Sequence, residues 1–265
     1  ENKERLKGVD YQVEAQRVYP GKFRASHIFG YTKEISEKQL DKQVGDYYTQ
    51  GDLIGSNGLE QTYEEILRGV KGNKFVSVDV KGKEVGAFND GKSDIPPVNG
   101  SDLILSIDAD LQEYAEKLMA NKHGGIIAMD PRTGEILCMV SKPDFDLSVF
   151  SGPTDPKEFA KLILDKEKPL FNRAIQAKYP PGSTWKMMMS LAGLGSGELT
   201  TKSTIVCEGS FTYGGRTWED HGSYGAIPIT TALEKSANVF FYKLGLKLGL
   251  ANYDKFSGMF NFGKR

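Results

Sequence analysis

Residues Tyr179-Pro180-Pro181-Gly182-Ser183-Thr184-Trp185-Lys186 run without a break into the apolar stretch Met187 to Leu194. A Pro-Pro-Gly turn ahead of an apolar run places Ser183 where a loop becomes a helix. A serine at that point feels the positive end of the helix macrodipole, and Lys186, three residues on, projects from the same face within reach of its hydroxyl. Burial that lowers the proton affinity of the lysine makes it the base a serine nucleophile needs. The backbone amide of Ser183 is then available to an oxyanion hole. A plainer reading fits the same residues: Ser183 caps a helix and Lys186 is a solvated first-turn side chain. The chain contains no other Ser-x-x-Lys, and this one follows a turn that a nucleophile could use.

Further along stands Lys235-Ser236-Ala237-Asn238, the only Ser-x-Asn in the chain. It follows a short helix that Thr231 and Glu234 could open as a capping box. A second hydroxyl here can relay a proton between the lysine and a leaving group, and the asparagine amide can hold both the lysine and a substrate carbonyl. Alone, Ser and Asn at such a place also describe an ordinary helix junction. The ordered pair of motifs is far more specific than either half.

Outward from the motifs, the fold class reads as α+β. Asp102 to Ile107 reads as a strand, and Asp108 caps a helix whose Leu111, Tyr114, Ala115 and Leu118 share one face. Gly125 to Met129, the turn Asp130-Pro131-Arg132-Thr133-Gly134 and Glu135 to Ser141 read as a hairpin. From Pro156 onward the pattern is helical or irregular, with little that reads as strand. The first hundred residues form a separate module with one clear helix, carrying Leu59, Tyr63, Ile66 and Leu67, and a hairpin over Phe75 to Val80 and Val85 to Phe88. Asn89 to Ser101, with Pro96 and Pro97, reads as a linker, so the domains are expected at 1–100 and 101–265.

In its two motifs the chain resembles the penicillin-recognising serine enzymes, whose site combines Ser-x-x-Lys, Ser-x-Asn and Lys-Thr-Gly. Further segments are similar to class B penicillin-binding proteins: Arg17-Val-Tyr-Pro20, His27-Ile-Phe-Gly-Tyr31, Gly58-Leu-Glu60, Tyr63-Glu-Glu65, Leu67-Arg-Gly69, Ile107-Asp108 with Leu111-Gln112, Met129-Asp130-Pro131, Thr133-Gly-Glu-Ile-Leu137, Ser141-Lys-Pro143 and Asn172-Arg-Ala174. Gly215-Arg216, Trp218 and His221-Gly222 point more weakly to the elongation type, penicillin-binding protein 2. The resemblance implies a pedestal, or dimerisation-type, module followed by a transpeptidase domain with an antiparallel sheet flanked by helices. It implies Ser183 as acylated nucleophile, Lys186 as its base, and Ser236 and Asn238 as relay and substrate-holding pair. The implied reaction is cross-linking of D-Ala-D-Ala stem peptides, trapped by β-lactams, at the outer face of a bacterial inner membrane and beside a membrane glycosyltransferase. A silent scaffold docking that glycosyltransferase, or a β-lactam sensor or β-lactamase-like protein, are the alternatives. No Glu-x-x-Leu-Asn segment of the kind class A β-lactamases use follows Ser183.

Neither Lys-Thr-Gly nor Lys-Ser-Gly follows Asn238 before Arg265, and the chain begins at Glu1 rather than Met. A truncated ectodomain, incomplete at its C-terminal side, is therefore expected. Lys plus Arg (34) balances Asp plus Glu (35), which gives no field to attract nucleic acid. Cys138 and Cys207 lie outside any paired-cysteine metal spacing and are expected as buried free thiols. The resemblance to elongation-type members, some of which carry a metal site near the second motif, makes Cys207, Asp220 and His221 candidate ligands, but the further carboxylate and thiol of that site are not evident, Ala237 occupying the middle of Ser-x-Asn. The expectation is no metal, no cofactor, and a surface Asp220–His221 pair. His27 and His123 are expected to be structural. No apolar run reaches the length needed to span a bilayer.

Overall fold

A computed structural model describes residues 16–263 apart from positions 44, 46 and 153; the part of the expected N-terminal module ahead of residue 16 lies outside the described residues. The chain divides into two compact units, Glu1–Ala177 and Lys178–Arg265. The expected boundary near residue 100 falls inside the first. Among the described residues, five two-stranded antiparallel sheets and interspersed helices make up an α+β architecture.

The first unit opens with α1 (Ser26–Phe29), β1 (Thr32–Glu34), α2 (Glu37–Leu40), β2 (Leu53–Gly55), α3 (Gly58–Thr62) and α4 (Glu64–Leu67). β1 pairs with β2, Thr32 opposite Gly55. The turns before and after this ribbon lie back to back. A Cβ on Gly30 would sit 1.9 Å from the Asn57 carbonyl oxygen, and one on Gly58 would sit 2.6 Å from that of Ile28. Both residues have positive φ, 73° and 59°, so both position and conformation demand glycine. Beside them Arg17 grips Glu60 with two parallel bonds, Nε to Oε1 at 2.6 Å and Nη2 to Oε2 at 2.9 Å. The helix expected through Leu59 and Leu67 is instead two short ones that meet at Tyr63, whose φ is −112°. Thr62 Oγ1 donates back to the Gly58 carbonyl, a local bond of the kind that bends a helix.

β3 (Val76–Val78) and β4 (Glu84–Ala87) form the expected hairpin, with a bulge at Ser77/Val78. The following segment is not a free tether: Val98 and Ile95 bridge back to Val70 and Asn73, and Ser101 donates to the Ile66 carbonyl. Asp102 to Ile107 forms no strand, contrary to expectation. Its far end meets β6 (Ile136–Lys142) through Ser106 Oγ, which donates to Ile136 O, and the next residue after it, Asp108, donates its amide to Leu137 O, too few bonds to build a ladder. Asp108 does cap α5 (Ala109–Leu118), accepting from the Leu111 amide at 2.9 Å. β5 (Gly124–Met129) and β6 form the expected hairpin, Gly124 opposite Lys142. α6 (Pro156–Leu164) starts on an Asp155 cap with Pro156 in its first turn.

The core of this unit has an aromatic centre. Tyr31 stacks on Phe150 at 3.8 Å between centroids, and Phe145 meets both edge-on. His27 lies edge-on to Phe145 with Nε2 2.9 Å from the Pro169 carbonyl oxygen, and burial lowers its pKa. His123 is exposed, with Nε2 2.7 Å from Glu167 Oε2.

The second unit holds α7 (Trp185–Gly195), β7 (Thr204–Cys207), β8 (Ser210–Tyr213), β9 (Arg216–Glu219), β10 (Gly225–Pro228), α8 (Ile229–Glu234) and α9 (Asn238–Met259), the last interrupted at Gly249. α7 and α9 pack over a core in which Ala232, Ala237, Val239, Phe240 and Leu244 are wholly buried. The four strands overturn the expectation of a region almost without strands. They are nested hairpins, β8 with β9 inside β7 with β10, each only four residues long. The Gly214-Gly215 turn, φ 57° and 76°, is the signal that marks the inner pair, since two left-handed glycines suit the tightest hairpin loop. Cys138 and Cys207 are buried and free.

Gln112 is wholly buried and latches α5 to the outer edge of β6. Its Oε1 accepts from Met139 N at 2.9 Å, and its Nε2 donates to Met139 O at 3.1 Å and Glu116 Oε1 at 2.9 Å. Gln112→Leu keeps the volume but strands a buried backbone N–H and C=O. We expect urea unfolding to show a loss of about 3 kcal/mol; a loss below about 1 kcal/mol would mean that water takes over both groups.

Candidate active site

A single turn of tight helix, Gly182–Thr184, precedes α7. Gly182 is left-handed (φ 57°), and Thr184 Oγ1 donates to the Pro181 carbonyl at 2.6 Å, so the Pro-Pro-Gly loop is closed on itself. Ser183 is left exposed at the mouth of the helix. Lys186, in the first turn of α7, points inward and is only 8% exposed.

The second motif lies between two helices. α8 does not begin with the expected Thr231–Glu234 box: β10 runs directly into it, Pro228 occupies the cap position, and Thr231 lies inside the helix. Its other end decides the geometry. The Ala237 amide donates to the Ala232 carbonyl at 2.9 Å and the Ser236 amide to that of Leu233 at 3.1 Å. This paired closure puts the residue after the cap in the left-handed region, where glycine is usual. Here it is Ser236, with φ 52°. Ala237, without exposed surface, fills the core, and Asn238 starts α9.

The two motifs meet at Lys186 Nζ. It lies 2.6 Å from the Ser236 carbonyl oxygen, 2.9 Å from Ser236 Oγ and 2.6 Å from Asn238 Oδ1. Ser236 Oγ is in turn 3.0 Å from Ser183 Oγ. An ammonium group can donate to all three acceptors; a neutral amine has two N–H bonds and a lone pair. The carbonyl oxygens of Ser236 and Asn238 accept only, so they keep the two donors. The lone pair must then face Ser236 Oγ, the one partner able to donate. In the neutral form a chain of donors therefore runs Ser183 Oγ to Ser236 Oγ to Lys186 Nζ. Burial favours that form by lowering the Lys186 pKa, against the attraction of Asp220.

The other residues singled out from sequence take different places. Asp220, in the β9–β10 loop, does not form a surface pair with the His221 imidazole. Its Oδ1 accepts from the His221 amide and its Oδ2 from the Val239 amide at 2.8 Å. By accepting from Val239, two residues on from the second motif's Ala237, that carboxylate closes the N-terminus of α9, which has no side-chain cap of its own. No cluster of three or more His, Cys, Asp or Glu side chains suited to a metal occurs among the described residues.

Comparison with known proteins gives two family matches, the penicillin-binding protein dimerisation domain over residues 1–105 and the penicillin binding protein transpeptidase domain over residues 124–265. Peptidoglycan D,D-transpeptidase MrdA of Escherichia coli K12 is 32% identical over 99% of this chain and 42% of its own length. The Acinetobacter baumannii MrdA is 34% identical over 100% of this chain and 39% of its own. The chain thus spans about two fifths of the length of these relatives. Among solved structures, Pseudomonas aeruginosa PBP2 in complex with WCK 5153 superposes with a TM-score of 0.78 at 32% identity, covering 94% of this chain and 51% of that one. PBP2 of Helicobacter pylori in its complex with MreC gives 0.82 at 32% identity, covering 94% and 46%.

Ser236→Ala and Ser236→Gly both remove the hydroxyl that links Ser183 to Lys186, but only glycine relieves the left-handed backbone. Unfolding is expected to show the glycine variant more stable than the alanine variant by about 1 kcal/mol. Both should lose Ser183 reactivity toward an activated acyl ester by about a hundredfold or more. Equal stabilities would refute the strain, and undiminished reactivity would refute the relay.

Proposed function

The chain belongs to the penicillin-binding protein transpeptidase family, of the penicillin-binding protein 2 type, and on that premise we propose that it carries the serine acylation site of a peptidoglycan D,D-transpeptidase. The observation that carries this reading is the continuous path from Ser183 Oγ through Ser236 Oγ to a buried lysine nitrogen. Ser183 Oγ attacks the carbonyl carbon of the penultimate D-Ala of a stem peptide. As the C–O bond forms, the hydroxyl proton passes to Ser236 Oγ, whose own proton goes to Lys186 Nζ. The Ser183 amide, at the start of the helix, donates to the developing oxyanion. When the intermediate collapses, the C–N bond to the terminal D-Ala breaks and the leaving amine takes a proton back along the same path. An amine of a second peptide strand then attacks the ester, gives up its proton to the relay and leaves Ser183 free. Asn238 holds Lys186 and offers its amide to the substrate backbone. No cofactor enters the reaction, and a β-lactam would stop it at the ester.

Residues 1–100 would serve as the pedestal and residues 101–265 as part of the transpeptidase domain. The complex of the Helicobacter pylori neighbour with MreC supports work within the cell-elongation machinery, where a membrane glycosyltransferase would be the functional partner. The place of action would be the outer face of a bacterial inner membrane. No helix among the described residues is long and apolar enough to cross one.

Intact mass spectrometry of the full-length gene product after incubation with benzylpenicillin should show a covalent adduct that Ser183→Ala abolishes. An adduct that survives in Ser183→Ala, or none on the folded wild type, would overturn the assignment. The acylation rate should rise with pH as Lys186 loses its proton, because the base must be neutral. Since burial holds the folded pKa below the ordinary lysine value of 10.5, the rise should be half complete below that pH. A profile flat across the range would remove Lys186 as the base.

A further inference from the structure

We propose that Asp220 is a positioning residue of the acylation site, closing the N-terminus of α9 so that Asn238 and the Ser236 turn stay aligned on Lys186. The inference rests on the function proposed above and adds a residue outside the two motifs. α9 begins at Asn238, and the first amides of a helix have no partner within it. Ala237, at the cap position, has no side-chain oxygen to offer. The need is met from a distant loop: Asp220 Oδ2 accepts from Val239 N at 2.8 Å, and Oδ1 accepts from His221 N at 2.9 Å, which holds the carboxylate in its own loop. Burial pushes the Asp220 pKa up, but the amides of Val239, Asn238 and His221 and the charge of Lys186 outweigh it, so the carboxylate stays ionised.

A capping carboxylate does two things here. It fixes the first turn of α9, and with it the side chain of Asn238, whose Oδ1 holds Lys186 at 2.6 Å. It also places a negative charge near Lys186 that raises the lysine's proton affinity against burial. The immediate neighbours of Lys186 Nζ, namely Ser236, Asn238 and the Phe241 ring, are uncharged. Around Asp220 lie the exposed His221 and the buried Cys207 thiol, which burial and Asp220 push up while Lys243, a donor to the Val206 carbonyl, opposes. A neutral side chain would cap the helix without restraining the base; an ionised one keeps Lys186 near the balance between proton acceptor and donor that both halves of acyl transfer require.

Two substitutions separate these effects. Asp220→Asn keeps an oxygen for the cap and removes the charge; Asp220→Ala removes both. Lysine labelled with carbon-13 at Cε would be titrated by NMR in the full chain without ligand, the Lys186 signal being assigned by its loss in Lys186→Met. Asp220→Asn should move the Lys186 midpoint to lower pH, and Asp220→Ala should in addition speed exchange of the Val239 amide. In both variants the acid limb of benzylpenicillin acylation should move with the lysine, and Asp220→Ala should acylate about tenfold more slowly or worse. An unmoved Lys186 midpoint in Asp220→Asn, or acylation that changes only in step with melting temperature, would overturn the proposal. The titration needs no acyl-enzyme, so it decides the role of Asp220 even where wild type forms no adduct, an outcome that would instead sink the proposed function.

Discussion

Everything in the second unit that bears on chemistry depends on one nitrogen held by three oxygens. Lys186 Nζ is fixed by the Ser236 carbonyl, Ser236 Oγ and Asn238 Oδ1, and these come from a turn far along the chain from the helix that carries the lysine. A long flexible amine in water would spread over many rotamers. Here its stem is buried and its head is satisfied, so the ammonium is neither stranded in the core nor free to wander. The two acceptor-only carbonyls also give the amine a direction when it is neutral, and that direction is toward Ser236 Oγ. The hydroxyl path to Ser183 follows from donor and acceptor arithmetic as much as from distance.

Holding that turn has a local cost. The helix-ending bonds of α8 put Ser236 in the left-handed region, where a residue with a Cβ is less comfortable than glycine. A glycine would end α8 with less strain but would carry no hydroxyl. Ala237 then faces the core with no exposed surface, leaving little room for a larger residue at the middle position. The strain is local, and the surrounding bonds over-determine it: Ser236 is gripped by its amide, its carbonyl and its Oγ at once.

In the first unit the same economy appears without chemistry. Gly30 and Gly58 let two turns touch at backbone distance, the Arg17–Glu60 fork lies beside them, and Gln112 supplies the outer edge of β6 with a side chain where a further strand's backbone would otherwise be needed. Several segments that resemble the family in sequence are the ones that make these close approaches: Arg17 with Glu60, and Gly30 with Gly58. Their pattern in the sequence records packing in this unit rather than reaction.

By itself the sequence determined the local events: the helix start at Asp108, the hairpin from Gly124 to Lys142 with its Pro and Gly turn, the loop-to-helix step at Ser183, and the two short motifs in order. Each is governed by residues close in the chain, where turn chemistry, capping and periodicity act directly. The four strands between Thr204 and Pro228 escaped because four-residue strands carry too little alternation to read, although Gly214-Gly215 marked their inner turn. Asp102 to Ile107 failed in the opposite way, having strand composition but too few bonds to a neighbouring edge. The Thr231 box gave way to a start imposed by β10. Only the tertiary structure decided that Ser236 would be left-handed, that Lys186 would be buried with its nitrogen on the Ser236–Asn238 turn, and that Asp220 would cap a helix from another loop. Those outcomes depend on contacts between residues far apart in the chain, and a hydrogen bond has no sequence signature when its partners are brought together by the packing of the core.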